Sequence, residues 1–295
     1  MQVLPDLLQD LDSMEPRDRL LALIQGVLAA NIFDWGAREC VAKYQEGLIL
    51  SIYRDARERL SKRPWRVDDF DKLAAVWLRP LEEGVPPYRR TVIFADNAGA
   101  DIVLGLLPLA RELLRMGGDV ILAANALPAI NDITAEELVD VIEKATVHCE
   151  VIAAAWTAGK ATRAHNRGRI PSAEEAGVAS EESSGSDQSP TEMPPVDASC
   201  PKLYVADSGQ VSPCLDLRYV GPNVARSAFG AELVIIEGMG RAIHTNLRTK
   251  LKCDCLKLAM IKNKHLASSL FGGDLFDCVC IYDSKPTKSP QPCQN

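Results

Sequence analysis

No apolar run in this sequence reaches the roughly 18 to 20 residues that a membrane span requires, so a helical integral membrane protein is excluded. Nor is there a surplus of positive charge. Lys and Arg number 33 against 40 Asp and Glu, a net charge of -7, whereas nucleic-acid surfaces need clustered Lys and Arg to meet phosphate backbones. Any anionic ligand must therefore be met by a local positive site. The opening MQVLPDLLQDLDSMEP is acidic and has neither the basic and apolar regions of a signal peptide nor the arginine richness of a transit peptide, so a cytoplasmic protein is expected.

A disulfide framework is also missing, since nine cysteines, an odd number, fit a reduced compartment better. The C-x-C pairs Cys253/Cys255 and Cys278/Cys280 do not have the spacing of common zinc fingers. On a strand that spacing puts both thiols on one face, and buried apolar cysteine is the expected reading. Walker loop, G-x-G-x-x-G fingerprint and G-x-S-x-G elbow are all absent. A Ser212, His244, Asp216 triad is accordingly set aside, and His244 reads as an acid or a backbone anchor.

What is present is an ordinary globular composition, 47% hydrophobic and 25% charged. A chain of 295 residues suffices for one large α/β domain with an appendage or for two small domains. Residues 1–86 read as helical. Leu20, Leu23, Ile24, Val27 and Leu28 recur at helical spacing, and FDWG at 33–36 supplies a glycine stop. After the Pro-rich GVPPYRR the pattern changes to short apolar runs separated by helical stretches. The runs are TVIFA (91–95), DVILAA (119–124), KLYVA (202–206), ELVIIE (232–237), LKLAMIK (256–262) and LFDCVCIY (275–282). Continuous runs of this kind predict a mostly parallel, doubly wound sheet over 87–285 in a three-layer α/β/α arrangement. Thr134, with Glu137 three residues on, writes a capping box. Residues 163–199 hold almost no large apolar side chains and read as a disordered acidic insertion, with 286–295 a loose tail.

In open α/β sheets ligands bind beyond the carboxyl ends of strands. Polar groups return to those ends repeatedly: Asp96 and Asn97, with Asp101 close behind, after the first run; Asn125, Asn131 and Asp132 after the second; EGMGR (237–241) after the fourth; Lys262 and Asn263 after the fifth. Asp96, Asn97 and Asp132 offer hard oxygen donors without thiolate or imidazole, which suits Mg²⁺ or Mn²⁺ rather than zinc. The same residues equally suit helix caps and a left-handed turn. In EGMGR, Gly238 and Gly240 permit close backbone approach and Arg241 offers a planar fork for phosphate, though Gly-x-Gly after a strand also occurs in plain turns.

Together, IFADNAGADIVLG, NALPAINDIT, SPCLDLR, EGMGRAIHTN and LKLAMIKN resemble the metal-dependent damage-control phosphatases. The likeness is to the subfamily with the EGMGR signature, found free-standing in plants and fused behind a pantothenate kinase module in animals. It runs from about Phe33 through Tyr282. The resemblance implies a divalent-metal phosphatase (Mn²⁺, Co²⁺, Ni²⁺ or Mg²⁺) with ligands on Asp96, Asn97 and Asp132. Its signature falls on Glu237, Gly238, Met239, Gly240 and Arg241. The expected phosphate-binding residues are Gly238, Met239, Gly240, Arg241 and Lys262, with Asp96, Glu237 and Arg241 catalytic and Glu237 orienting water or Arg241. Kinase-fused relatives hydrolyse 4'-phosphopantetheine and, preferably, oxidised forms such as the sulfonate, which restrains coenzyme A synthesis. The implied partner is a small phosphorylated metabolite. Relatives usually read DNSG where this chain has DNAG, so Ala98 removes a hydroxyl. The rival readings are an S-adenosylmethionine-dependent carboxyl methyltransferase and a non-catalytic regulator on the same fold. The first lacks its Gly-rich loop and acidic ribose partner, and the intact ligand set and signature speak against the second.

Overall fold

The computed structural model describes residues 1–31, 49–59, 62–79, 85–167 and 200–285. The apolar runs become strands β2 (Arg90–Phe94), β3 (Asp119–Ala124), β4 (Leu203–Asp207), β5 (Leu233–Glu237), β6 (Asp254–Met260) and β7 (Cys278–Asp283), joined by a two-residue β1 (Val67–Asp68). Their order in one sheet is β1-β7-β6-β5-β2-β3-β4. All adjacent pairs are parallel except β6 with β7. Because both faces of the sheet are covered, successive residues go to opposite cores. Ile93 and Leu122 pack in one cluster, Val92, Phe94 and Ile121 in the other, which is why the runs read as continuous rather than alternating.

The first cluster is closed by helices α1 (Leu4–Asp12) and α2 (Pro16–Ala30), by α4 (Phe70–Leu78), which follows α3 (Ile49–Arg59), and by α5 (Leu107–Arg115), α6 (Ala135–Thr146) and α7 (Glu150–Arg167). The second gathers Val224 of α8 (Pro222–Ser227) and Ala267 of α9 (Lys264–Phe271). Leu20, Leu23, Ile24, Val27 and Leu28 all point into the first core, as their spacing requires. The capping box forms as written: Thr134 accepts from the Glu137 N–H while the Glu137 carboxylate accepts from the Thr134 N–H.

Several boundaries differ from expectation. β1 falls in a stretch expected to be wholly helical and pairs with β7; two residues are too few to show an alternating pattern. The run beginning at Leu275 becomes strand only from Cys278, because Phe276 adopts φ 72, outside the extended region. Helix α7 continues to Arg167, past the expected start of the insertion at 163; 168–199, the glycine stop at 33–36 and the tail at 286–295 lie outside the described residues. Cys255, Cys278 and Cys280 are buried free thiols, their ionisation pushed up mainly by burial, in keeping with apolar packing. None of the described helices is long and apolar enough to cross a membrane.

Candidate functional site

Four strand ends meet on one rim. The peptide after β2 continues beside the segment after β3: Ala98 N–H donates to the Asn131 carbonyl (2.9 Å), Ile133 N–H to the Asp96 carbonyl (3.0 Å), and Asn97 bridges Asp132. This short antiparallel pairing sets Asp96, Asn97 and Asp132 side by side. The capping box holds the far end of the same loop by starting α6 at Ala135.

From the opposite side comes the turn after β5. Gly238 adopts φ 89, a conformation glycine takes without strain. A Cβ there would lie 2.2 Å from the Asp96 carboxyl carbon, so glycine is what lets Asp96 stand against the turn. Gly240 is likewise pressed on the Pro213 carbonyl, 2.4 Å from where its Cβ would be. The π-helical segment Met239–Thr245 then carries Arg241 inward. Asn246 fixes that segment by donating to the Leu215 and Arg241 carbonyls, both at 2.8 Å.

Arg241, 2% exposed, spans the two carboxylates. Its Nη1 donates to Asp96 Oδ1, and its Nη2 to Asp132 Oδ2 at 2.8 Å and Asn125 Oδ1 at 3.1 Å. Asn125 in turn donates to Asp132 Oδ2 (3.0 Å) and the Ser212 carbonyl (3.2 Å). Beneath lies a second layer. Asn97 Nδ2 donates to Asp96 Oδ2 and Asp101 Oδ2, each at 2.9 Å, and its Oδ1 accepts from Asn131 at 3.1 Å. Glu237, 1% exposed, accepts from the Asp96 N–H at 3.2 Å.

The arrangement is short of positive charge. Of the four buried carboxyl groups Asp96, Asp101, Asp132 and Glu237, two, Asp96 and Asp132, pair with the buried Arg241 guanidinium. Burial, reinforced by Asp96, pushes Asp101 up to about 7 against the pull of the Asn97 and Asn31 amides. Burial, with Asp101 and Asp96 adding to it, holds Glu237 well above the usual carboxylate range. Burial also raises Asp132, with Arg241 opposing. Desolvation works against the Arg241 charge, yet Asp96 and Asp132 outweigh it and its ionisation moves up.

A divalent cation fits such a cluster, and the fit can be tested on the polar atoms left over. Among the described residues, Asn31 Oδ1, Asp101 Oδ1 and Glu237 Oε2 are buried without a hydrogen-bond partner. These are acceptor-rich surroundings that lack donors or a cation. Among the described residues no group of three or more His, Cys, Asp or Glu side chains is arranged to hold a metal. The Asp96, Asn97, Asp132 set offers an amide oxygen beside two carboxylates, and oxygen donors of this kind suit hard ions.

Other expected residues fall differently. The Gly238 N–H donates to the Leu258 carbonyl at 3.0 Å, so it is spent within the fold and Gly238 provides room rather than an anion-binding amide. Glu237 faces the Asp96 backbone, not Arg241. The Lys262 backbone N–H meets Met239 Sδ at 3.3 Å, which brings those two residues together beside the cluster. His244 is exposed, Ser212 Oγ accepts from the Cys214 N–H and Asp216 is engaged by Arg218, so the discarded triad does not assemble. Asn31 and Asn246 escaped the sequence reading. Asn31 sits 65 residues before Asp96 at a helix end, where a lone Asn reads as a cap.

A mostly parallel α/β sheet thus carries paired carboxylates, amides and a buried arginine together on its carboxyl rim. The family described as damage-control phosphatase ARMT1-like domain matches residues 1–275. The chain belongs to that family. It is 46% identical over 286 residues to a protein named pantothenate kinase 2 from Oryza sativa subsp. japonica, covering 97% of this chain and 29% of that protein. It is 36% identical over 295 residues to the 4'-phosphopantetheine phosphatase of Mus musculus, covering 95% of this chain and 34% of that one. The chain thus spans about a third of the length of these relatives. Among solved structures, a DUF89 family protein from Pyrococcus horikoshii shares the fold, with a TM-score of 0.54 at 13% identity over 95% of this chain and 71% of that one.

Proposed function

We propose that this protein is a divalent-metal-dependent phosphatase of small phosphometabolites, with 4'-phosphopantetheine and its oxidised forms the foremost substrates. The observation that carries the reading is Arg241 held between Asp96 and Asp132 in a buried cluster rich in carboxyl groups. Asp96, Asn97 and Asp132 would hold the ion, Mn²⁺, Co²⁺, Ni²⁺ or Mg²⁺. Bound there, it would supply Lewis-acid polarisation of a phosphoryl oxygen and neutralise developing charge.

The chain's own groups do the rest. Phosphoryl transfer demands mainly positioning and charge stabilisation, and Arg241 presents a planar fork to phosphate oxygens once released from its carboxylates. Lys262, beside Met239, adds positive charge at the same rim. Glu237, its ionisation pushed up by burial, accepts from the Asp96 backbone N–H and braces it. Asp96 is the carboxylate that would face the reacting phosphorus.

The organic part of the substrate has a surface to meet. Ala126 N–H donates to the Gln210 carbonyl at 2.8 Å, joining the loop after β3 to the one after β4. On those loops Leu127, Ile130 and Val211 are 60%, 88% and 57% exposed. Ile130 lies two residues from Asp132 and holds φ 55, costly for a β-branched residue. An apolar rim next to an anion site suits a phosphate ester with a branched hydrocarbon body, such as phosphopantetheine, better than a sugar phosphate.

The test is phosphate release by the full chain from 4'-phosphopantetheine, its sulfonate and a set of sugar phosphates, with Mn²⁺, Co²⁺, Ni²⁺, Mg²⁺ or chelator. The expected result is metal-dependent release with kcat/KM at least about tenfold higher on the pantetheine esters, a difference of roughly 1.4 kcal/mol in transition-state binding. No release from any ester with any of the metals would refute the reading.

A further inference from the structure

Among the described residues, Asn31 brings the N-terminal helices to the candidate site through side-chain hydrogen bonds to its carboxylates. It caps the end of α2, is 3% exposed, and donates from Nδ2 to Asp101 Oδ2 at 2.9 Å and to Asp96 Oδ2 at 3.2 Å. Asn97 Nδ2 donates to the same two oxygens. Two amides thus share two carboxylate oxygens in a closed, buried arrangement.

That sharing decides orientation. With both Asn97 N–H groups drawn to Asp96 Oδ2 and Asp101 Oδ2, its oxygen turns the other way, toward Asn131. With Oδ2 of Asp96 taken by two amides, Oδ1 is the oxygen left to Arg241. Loss of the Asn31 donors would leave Asp96 and Asp101 joined through a single amide, with like charges facing across it. A helix cap would need none of this, since the Asn31 backbone N–H already bonds the Val27 and Ala29 carbonyls.

We propose that Asn31 is a positioning residue of the site: together with Asp101 it sets which oxygens of Asp96 and Asn97 face a bound divalent cation. The assignment rests on the reading that Asp96, Asn97 and Asp132 hold such an ion. Groups that orient metal ligands in this way typically carry about 10- to 100-fold in metal affinity.

The experiment titrates Mn²⁺ into metal-free full-length wild type, Asn31→Leu and Asn31→Ser, following free Mn²⁺ by electron paramagnetic resonance and folding by circular dichroism. Wild type should bind, Asn31→Leu should bind about 10- to 100-fold more weakly, and Asn31→Ser should fall between. Phosphatase activity of the variants should recover at saturating Mn²⁺, which a purely structural defect would not show. Should Asn31→Leu fail to fold, Asn31→Ser is read alone, and wild-type affinity in a folded variant overturns the assignment while leaving the metal reading intact. A wild type that takes up no Mn²⁺ overturns the metal reading, and this assignment with it.

Discussion

Arg241→Met should move two properties of this protein in opposite directions. Turnover should fall by about a thousandfold, the scale on which a single arginine stabilises phosphoryl-transfer transition states. Affinity for Mn²⁺ should rise at least about tenfold, because each 1.4 kcal/mol released by removing a competing cation counts tenfold. The reason is the double role of the guanidinium. In the structure it is the counter-charge of Asp96 and Asp132, both buried with it. Removing one partner of such a group leaves buried charges uncompensated and costs roughly 3–5 kcal/mol. A metal ion restores what is lost, so the melting temperature of the variant should fall in chelator and recover with Mn²⁺ by more than that of wild type. Calorimetric titration and thermal denaturation read both arms. Weaker Mn²⁺ binding in the variant would show that Arg241 supports the ion rather than competing with it.

Gly238→Ala should be severely damaging for a change of one methyl. The new Cβ would stand 2.2 Å from the Asp96 carboxyl carbon and force a non-glycine residue to φ 89. With ψ 147 this is backbone essentially reserved for glycine, so the strain alone is worth about 1–3 kcal/mol, and the contact can be relieved only by moving Asp96 away from the turn. Misplacing a reacting group by about 1 Å costs on the order of a hundredfold in rate. The expected outcome is a folded protein with a lowered melting temperature and at most about a hundredth of the wild-type kcat/KM, measured by phosphate release. Wild-type kinetics in a folded variant would mean that Asp96 does not need its observed place.

The sheet was legible because its strands are buried on both faces. A run such as DVILAA (Asp119–Ala124) is buried at every position and apolar from Val120 on, and no amphipathic helix would be written so. Asp96, Asn97 and Asp132 stood out as oxygen donors near the ends of such runs and within the segments that carry the family resemblance, although caps and turns use the same residue types. What sequence could not give was partnership. Nothing in EGMGR says that Gly238 makes room for Asp96 instead of binding an anion, or that Glu237 is sealed against the Asp96 backbone. Asn31 was invisible for the same reason: its partners lie 65 and 70 residues away, and only the packing of α2 on the sheet brings them together. Short elements escaped too, as β1 shows, because two residues carry no period.

The central claim is that a divalent ion sits between Asp96, Asn97 and Asp132. Anomalous diffraction from crystals soaked in Mn²⁺ addresses it directly. The account predicts one strong peak within coordination distance of an oxygen from each of the three, with the Arg241 guanidinium displaced from its bridge between Asp96 and Asp132. A map with no peak there, and Arg241 still spanning the two carboxylates at saturating Mn²⁺, would contradict it.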